Sequence, residues 1–285
     1  MKKRTRSAIK LIAAVVILTF FLLPVYWAVT TSIKPNSQIF AYPATLIPTR
    51  LSFTSWLQVL SGGAGDADTA FTNSIIYALS VTSLTLLIAL PAAYAASRFE
   101  FRGKRPTSLL MYLVMVTPST VLAVPLFFVM VQLGLYDTGF GYVVAYTALT
   151  APFAVWLLKP FIDAIPRDLE EAARVDGASQ TTILARIVGP LSRHGLSVVG
   201  LLAFVWTFND FSISFIMLNS TSLKTLPALL VDLVDEMQLV QGGGGGVNYS
   251  YLSTLSVLGM LPPLILFLIF RRYFEEGLTK GALKG

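Results

Sequence analysis

Residues 171–179 read EAARVDGAS, within a longer segment, 166–190, that reads PRDLEEAARVDGASQTTILARIVGP. Pro166 suits a first helical position, and Asp168, Glu170 and Glu171 complement the positive end of a helix macrodipole. Gly177 is placed to end that helix in a left-handed turn. Ser179 can cap a second helix whose Ile183, Leu184, Ile187 and Val188 share one apolar face until Pro190 stops it. The pattern predicts a helix, a glycine elbow and a helix. Leu169, Ala172 and Ala173 form a stripe on the first helix that would let its backbone approach another surface, with glutamates beside it for a basic partner. The same periodicity suits an amphipathic helix on a membrane surface, so these residues alone leave both readings open.

The surroundings decide where this segment lies. Of the 285 residues, 55% are hydrophobic and only 13% charged, about half the charge density of a soluble domain. More apolar surface is present than one water-facing core could hide, and a membrane protein follows. Six stretches have the roughly 20 apolar residues a helix needs to cross the hydrocarbon: residues 11–31, 71–97, 108–133, 140–158, 195–218 and 251–270. Pro118, Pro125, Pro262 and Pro263 fall inside them and predict kinks rather than ends. The basic start MKKRTRSAIK resembles a secretory leader, but the apolar run continues through Trp27 with no small-x-small site after it, so an uncleaved first span is expected.

Basic loops stay cytoplasmic. With the first residues inside, 18 of the 21 Lys and Arg fall in cytoplasmic segments. Both termini are therefore expected in the cytoplasm, and EAARVDGAS lies in the one long interior cytoplasmic loop. The expected organisation is a cytoplasmic N-terminus over 1–10, a six-helix membrane domain over 11–270 with its cytoplasmic loop at 163–190, and a cytoplasmic tail over 271–285. The fold class is all-α, a polytopic membrane protein of six transmembrane helices with a cytoplasmic helix-Gly-helix coupling loop.

Several function classes are excluded. The net charge of +6 is dispersed in clusters between apolar spans rather than gathered on a solvated face, which argues against nucleic acid. There is no cysteine, and a single His194 cannot build a metal site, so neither a catalytic centre nor a metal centre is expected. No G-x-x-x-x-G-K-[S/T] loop occurs, so any ATP-driven work needs other subunits.

The loop resembles the signature segment of the membrane subunits of ATP-binding-cassette (ABC) importers: Glu-Ala-Ala, three residues, Gly, nine residues, then Ile-x-Leu-Pro. Glu171, Ala172, Ala173, Gly177, Ile187 and Pro190 match, and Gly189 stands where the family has Leu. The resemblance continues in SIKPNSQIFAYPATLIP (32–48), NSIIYALSVTSLTLLIALPAAYAASRFEFRGKR (73–105), LKTLPALL (223–230) and the ending RRYFEEGLTKGALKG, and points to the maltose-transporter type of the carbohydrate-uptake branch. It implies a permease subunit in a bacterial or archaeal cell (inner) membrane, in contact with membrane lipid. Its implied partners are a second homologous permease, two ATP-binding-cassette ATPases that hold the ATP and Mg, an extracytoplasmic substrate-binding protein and a sugar. It also implies that Glu170, Glu171, Ala172, Ala173, Asp176 and Gly177 form the coupling surface for an ATPase. An ion-coupled secondary transporter is the alternative, although one acidic group and no internal repeat fit that class poorly.

The fifth stretch contains FVWTFNDFSISF (204–215). An ionisable side chain within hydrocarbon is costly unless it faces a bundle interior or a wet cavity. Asp210, with Asn209 and Trp206, is therefore the candidate substrate pathway, the rival role for Asp210 being to fix helix packing. The outer segment from Leu218 to Ser250 contains the run Gly242 to Gly246, which argues against regular structure there, and the acids Asp232, Asp235 and Glu236 read as a solvated face.

Overall fold

The computed structural model describes residues 2–61, 66–240 and 248–282. The chain divides into two compact units, Met1–Asp68 with Leu230–Leu261, and Thr69–Leu229 with Pro262–Gly285. The helices in order are α1 (Lys2–Ser32), α2 (Asn36–Ile39), α3 (Thr54–Leu60), α4 (Ala67–Arg98), α5 (Lys104–Val116), α6 (Ser119–Gln132), α7 (Gly139–Asp163), α8 (Asp168–Val175), α9 (Gln180–Ile183), α10 (Gly189–Leu191), α11 (Arg193–Phe208), α12 (Ser212–Met217), α13 (Leu226–Val240) and α14 (Tyr249–Ala282). Among the described residues no strand occurs.

Among the described residues, four helical stretches are long and apolar enough to cross a membrane: Ile9–Ser32, Ala67–Arg98, Gly139–Asp163 and Tyr249–Arg271. Two bent pairs raise the number to six if each counts as one span: α5 with α6, bent by 110°, and Gln180–Leu191 with α11, bent by 79°. The six expected apolar stretches are thus all helical, but two of their details differ. Pro118 ends α5 instead of kinking a continuous helix, because it has no N–H to return to the preceding turn and it holds the N-cap position of α6 in extended geometry. The fifth stretch stops at Phe208, and a break at Asn209 and Asp210 separates α11 from α12. Pro125, Pro262 and Pro263 remain inside helices, as expected.

In the first unit, Leu11–Leu23 of α1 is exposed throughout and apolar at every position but Thr19. The end of α1 is tied to the start of α14. The Ser32 carbonyl accepts from Ser250 Oγ at 3.2 Å and Thr254 Oγ1 at 3.4 Å, and Ser55 Oγ donates to Ser250 Oγ at 3.1 Å. In the second unit α7 is central. Its Ala154, Val155, Leu158 and Ile162 pack with Ala89, Ala93 and Tyr94 of α4, Ile183 of α9 and Val199 of α11. Its Tyr142, Ala145 and Tyr146 pack with Tyr77 and Val81 of α4, Ala123 of α6, and Ile213 and Met217 of α12. Small residues allow the helix backbones to approach, and a hydroxyl pair, Thr85 with Thr150 at 2.9 Å, joins α4 to α7 in the interior.

The segment from Leu218 to Ser250 is more regular than its glycines suggest, since α13 forms over Leu226–Val240 with its first N–H, at Leu226, held by Ser74 Oγ at 2.8 Å. Asp235 and Glu236 are exposed there and Asp232 is half-buried. The Gly242 to Gly246 run lies outside the described residues.

Candidate functional site

The helix-Gly-helix loop forms as the spacing requires. The N–H groups of Glu170 and Glu171 both donate to the Arg167 carbonyl and open α8 at Asp168, so Pro166 lies two residues before the helix rather than at its first position. The first arm ends in a left-handed turn at Gly177, where φ is 82°. Ser179 Oγ accepts from the Thr182 N–H at 3.2 Å and caps α9. Pro190 does not stop the second arm. Leu184–Val188 widens into a π turn, with the Gly189 N–H reaching the Leu184 carbonyl, and the helix continues to Leu191. A wider turn leaves room for a proline that cannot donate, and Gly189 contributes by exposing no side chain where a Cβ would sit 3.1 Å from the Leu184 oxygen. Beyond Ser192 the chain bends into α11, so the loop is continuous with a membrane helix.

The sequence-predicted coupling residues separate into two sets. Glu171, Ala172, Asp176 and Gly177 are exposed, as are their neighbours Asp168, Leu169 and Val175, Val175 at 87%. Glu170, grouped with them on sequence, is turned inward and only 1% exposed. Ala173 is also on the inner side, packed against the core below α8. Periodicity explains the division, since residues 170 and 173 share a helical face and 168, 171, 172 and 175 share the other.

Glu170 is fully engaged. Its Oε1 lies 2.7 Å from Arg98 Nε and its Oε2 accepts from the Tyr94 hydroxyl at 2.8 Å. Arg98 Nη2 donates to the carbonyls of Ile162 at 3.0 Å and Ile165 at 2.8 Å, and Nη1 donates to Ser97 Oγ at 3.1 Å. Tyr94 also lies 3.1 Å from the Gln180 side-chain amide. The Gln180 atom that faces it is Oε1, a second acceptor for the one Tyr94 proton. Sequence reasoning placed Arg98 only in a basic loop; its position at the last turn of an apolar helix was the available signal.

Asp210 sits at the break after α11 and is 8% exposed. Its Oδ2 accepts the Ser214 N–H at 2.8 Å and the Tyr142 hydroxyl at 3.2 Å, while Oδ1 accepts the Ile213 N–H at 3.3 Å. These are the contacts of a carboxylate that caps the start of α12. Trp206 is different: its ring is exposed, packs on Phe153 at 4.7 Å between centroids, and lines a cavity of about 350 Å³. Asn209 is exposed and donates to the Val205 carbonyl at 2.8 Å. Trp206 and Asp210 therefore do not converge on one site. The cavity opens at the α5/α6 break, where Thr117, Pro118 and Ser119 line it. At the end of α5 the Leu113 carbonyl accepts both the Thr117 N–H at 3.1 Å and the Thr117 hydroxyl at 2.7 Å. The cavity lining mixes the hydroxyls of Thr117, Ser119 and Thr150 with apolar side chains such as Leu122, Leu149 and Phe153.

A second tie lies between α6 and α7. Asp137, in left-handed conformation with φ of 54°, accepts from the Asn219 N–H at 2.8 Å, the Ser220 N–H at 2.9 Å and the Ser220 hydroxyl. The Ser220 hydroxyl and N–H hold the Asp137 carboxyl below the usual carboxylate range. On the basic loop after α4, Lys104 does the same for the exposed Glu100. His194 is half-buried in the first turn of α11, and among the described residues no cluster of His, Asp and Glu could hold a metal ion.

Comparison with known proteins agrees with this architecture. Residues 85–280 match the family described as the binding-protein-dependent transport system inner membrane component, and the chain belongs to that family. It is a multi-pass permease subunit of an ABC importer, of a family whose ATPase is carried by separate subunits. It is 32% identical over 277 residues to the sulfoquinovosyl glycerol transport system permease protein of Agrobacterium fabrum, covering 97% of this chain and 94% of that one. It is 31% identical over 275 residues to the trehalose/maltose transport system permease protein of Thermococcus litoralis, covering 96% of each. Among solved structures, a chain of a bacterial ABC transporter involved in the import of the acidic polysaccharide alginate shares its fold, with a TM-score of 0.81 and 21% identity over 96% of this chain and 98% of that one.

Proposed function

We propose that this chain forms half of the translocation pathway of an ATP-driven sugar importer, and that the exposed face of α8 receives the motion of a cytoplasmic ATPase. Glu171, Ala172, Asp176 and Gly177 carry that contact with Leu169 and Val175, and Glu170 and Ala173 support it from within. The observation that carries the reading is the solvent-facing surface of α8, with Val175 at 87% exposure, on a loop that is anchored to α4 and runs on into α11. A mobile connector would need neither the anchor nor the continuity. Relatives of this chain are named for trehalose, maltose and arabinooligosaccharide transport, which supports a mono- or oligosaccharide as the solute.

The other half of the pathway is a second, homologous permease. Two ATPases bind ATP and Mg, and an extracytoplasmic binding protein delivers the solute. Both termini face the cytoplasm, as the distribution of Lys and Arg requires. Closure of the ATPases pushes α8, and the bundle moves between two discrete packings. Trp206 and Phe153 offer sugar faces an aromatic platform, while the hydroxyls of Thr117, Ser119 and Thr150 offer hydrogen bonds.

Proteoliposomes holding this chain, its second permease and the ATPases are the direct test, with the binding protein and radiolabelled trehalose or maltose outside. Uptake that requires ATP and the binding protein is expected. Accumulation driven by an ion gradient with this chain alone overturns the reading.

A further inference from the structure

Arg98 and Glu170 are a buried charged pair at the cytoplasmic end of the bundle, with side chains 6% and 2% exposed. Burying two charges is costly, and their retention calls for a role beyond filling space. Their partners identify it. Each of the three guanidinium nitrogens of Arg98 is engaged: Nε by the first arm of the loop, Nη1 by Ser97 of α4, and Nη2 by the carbonyls of Ile162 and Ile165 at the end of α7. Ser97 Oγ passes the chain of bonds on to Asp163, which pairs with Lys159 at 2.6 Å. Tyr94 donates to Glu170 of α8, lies 3.1 Å from Gln180 Oε1 of α9, and packs in one buried cluster with Ile183 of α9. The two arms of the loop are thus fastened, on either side of the flexible Gly177, to one turn of α4.

We infer that Arg98 and Glu170 are positioning residues forming a rigid transmission joint, through which displacement of α8 reaches α4 and α7 as well as the directly continuous α11. This rests on the proposed role of α8 as the surface that meets an ATPase. Without the joint, a push on α8 bends the chain at Gly177 and along the backbone to α11, and α4 and α7 are left behind. A planar, three-sided donor is required, so lysine cannot replace Arg98.

The complete complex in proteoliposomes provides the test, with solute transported per ATP hydrolysed as the readout. Arg98→Lys and Glu170→Gln are expected to lower that ratio by roughly 2- to 30-fold, the range over which changes along a coupling route act. The chain has no cysteine, so Glu100→Cys and Ala185→Cys place spin labels at two exposed positions, one beyond α4 and one on the second arm. In the otherwise unaltered chain the distance between the labels stays constant between nucleotide-free and ATP-bound states. In Arg98→Lys it changes with nucleotide. An unaltered transport ratio in both variants, or a label distance that moves with nucleotide in the presence of Arg98, overturns the joint. Failure of Arg98→Lys to assemble also overturns it, because the pair is then a folding brace. If the unaltered complex takes up no sugar, the sugar reading fails, while the label distances still decide the joint.

Discussion

Glu170 and Glu171 are adjacent in the chain and lie on different faces of α8: Glu170 is buried against Arg98 at 2.7 Å, and Glu171 is exposed. Their substitutions should therefore separate two roles that a sequence motif merges. Glu171→Lys leaves the thermal unfolding midpoint of the purified chain unchanged and reduces ATP-driven uptake, since placing like charges at a desolvated contact costs about 2–5 kcal/mol. Glu170→Ala strands Arg98 in the interior and lowers the midpoint, with a loss of about 3–5 kcal/mol. Thermal denaturation in detergent, run beside uptake measurements, checks both.

Asp210 and Trp206 are separated in the same way. Asp210→Ala removes the acceptor of two backbone N–H groups and the Tyr142 hydroxyl. It is expected to destabilise by about 1–3 kcal/mol and to leave the order of preference among sugars unchanged. Trp206→Ala strips the aromatic platform from the cavity and raises the solute concentration needed for half-maximal uptake, with little change in stability because the ring is already exposed. Competition between labelled and unlabelled sugars distinguishes the two results.

What could be read from the sequence followed physical scale. The six helical stretches come from runs of apolar residues, a property of about 20 neighbours at once, and the Gly177 elbow and Ser179 cap come from residues whose local chemistry dictates conformation. The partners of buried polar groups could not be read this way. Glu170 finds Arg98 72 positions earlier and Asp210 finds Tyr142 68 positions earlier, and only helix packing sets those meetings. The break at Pro118 runs against the expected kink, because a proline inside an apolar run is compatible with a kink or an end; Pro125 and Pro118 differ in outcome within one stretch. At the candidate site, Trp206 was visible as an aromatic beside polar residues. Phe153, which completes its platform, carried no signal distinguishing it from other apolar residues of α7.

The Asp137 tie carries a pH dependence. Its folded carboxyl titrates lower than in the unfolded chain, because the Ser220 hydroxyl and neighbouring N–H groups favour the charged form. The contribution to stability is therefore fully present above the unfolded value, near 3.9, and is lost as pH falls through the lower folded value. The midpoint is expected to be insensitive to this group from neutral pH down to about pH 5, and to drop at more acid pH. Asp137→Asn should show a shallower acid limb than the unaltered chain. Melting curves of the two proteins across that range provide the check.

Two glycines should rank alanine and asparagine in opposite order. At Gly177 the conformation is left-handed but a Cβ would meet nothing within 4 Å, so only backbone preference opposes a side chain. Gly177→Ala is expected to cost about 1–2 kcal/mol, and Gly177→Asn less, because Asn visits the left-handed region more readily. Gly141 has ordinary backbone geometry, but its added Cβ would fall 2.0 Å from the Leu135 carbonyl oxygen, a fixed backbone atom, and 2.8 Å from Thr138 Oγ1. Gly141→Ala must displace the turn that begins α7 and disturb the Thr138 cap, which accepts the Gly141 N–H at 3.0 Å. About 1–3 kcal/mol of overpacking strain follows, to which asparagine would only add. Unfolding midpoints ranked Gly177→Asn above Gly177→Ala, and Gly141→Ala above Gly141→Asn, would bear out both assignments; asparagine tolerated better than alanine at residue 141 would show that the close approach there does not exist.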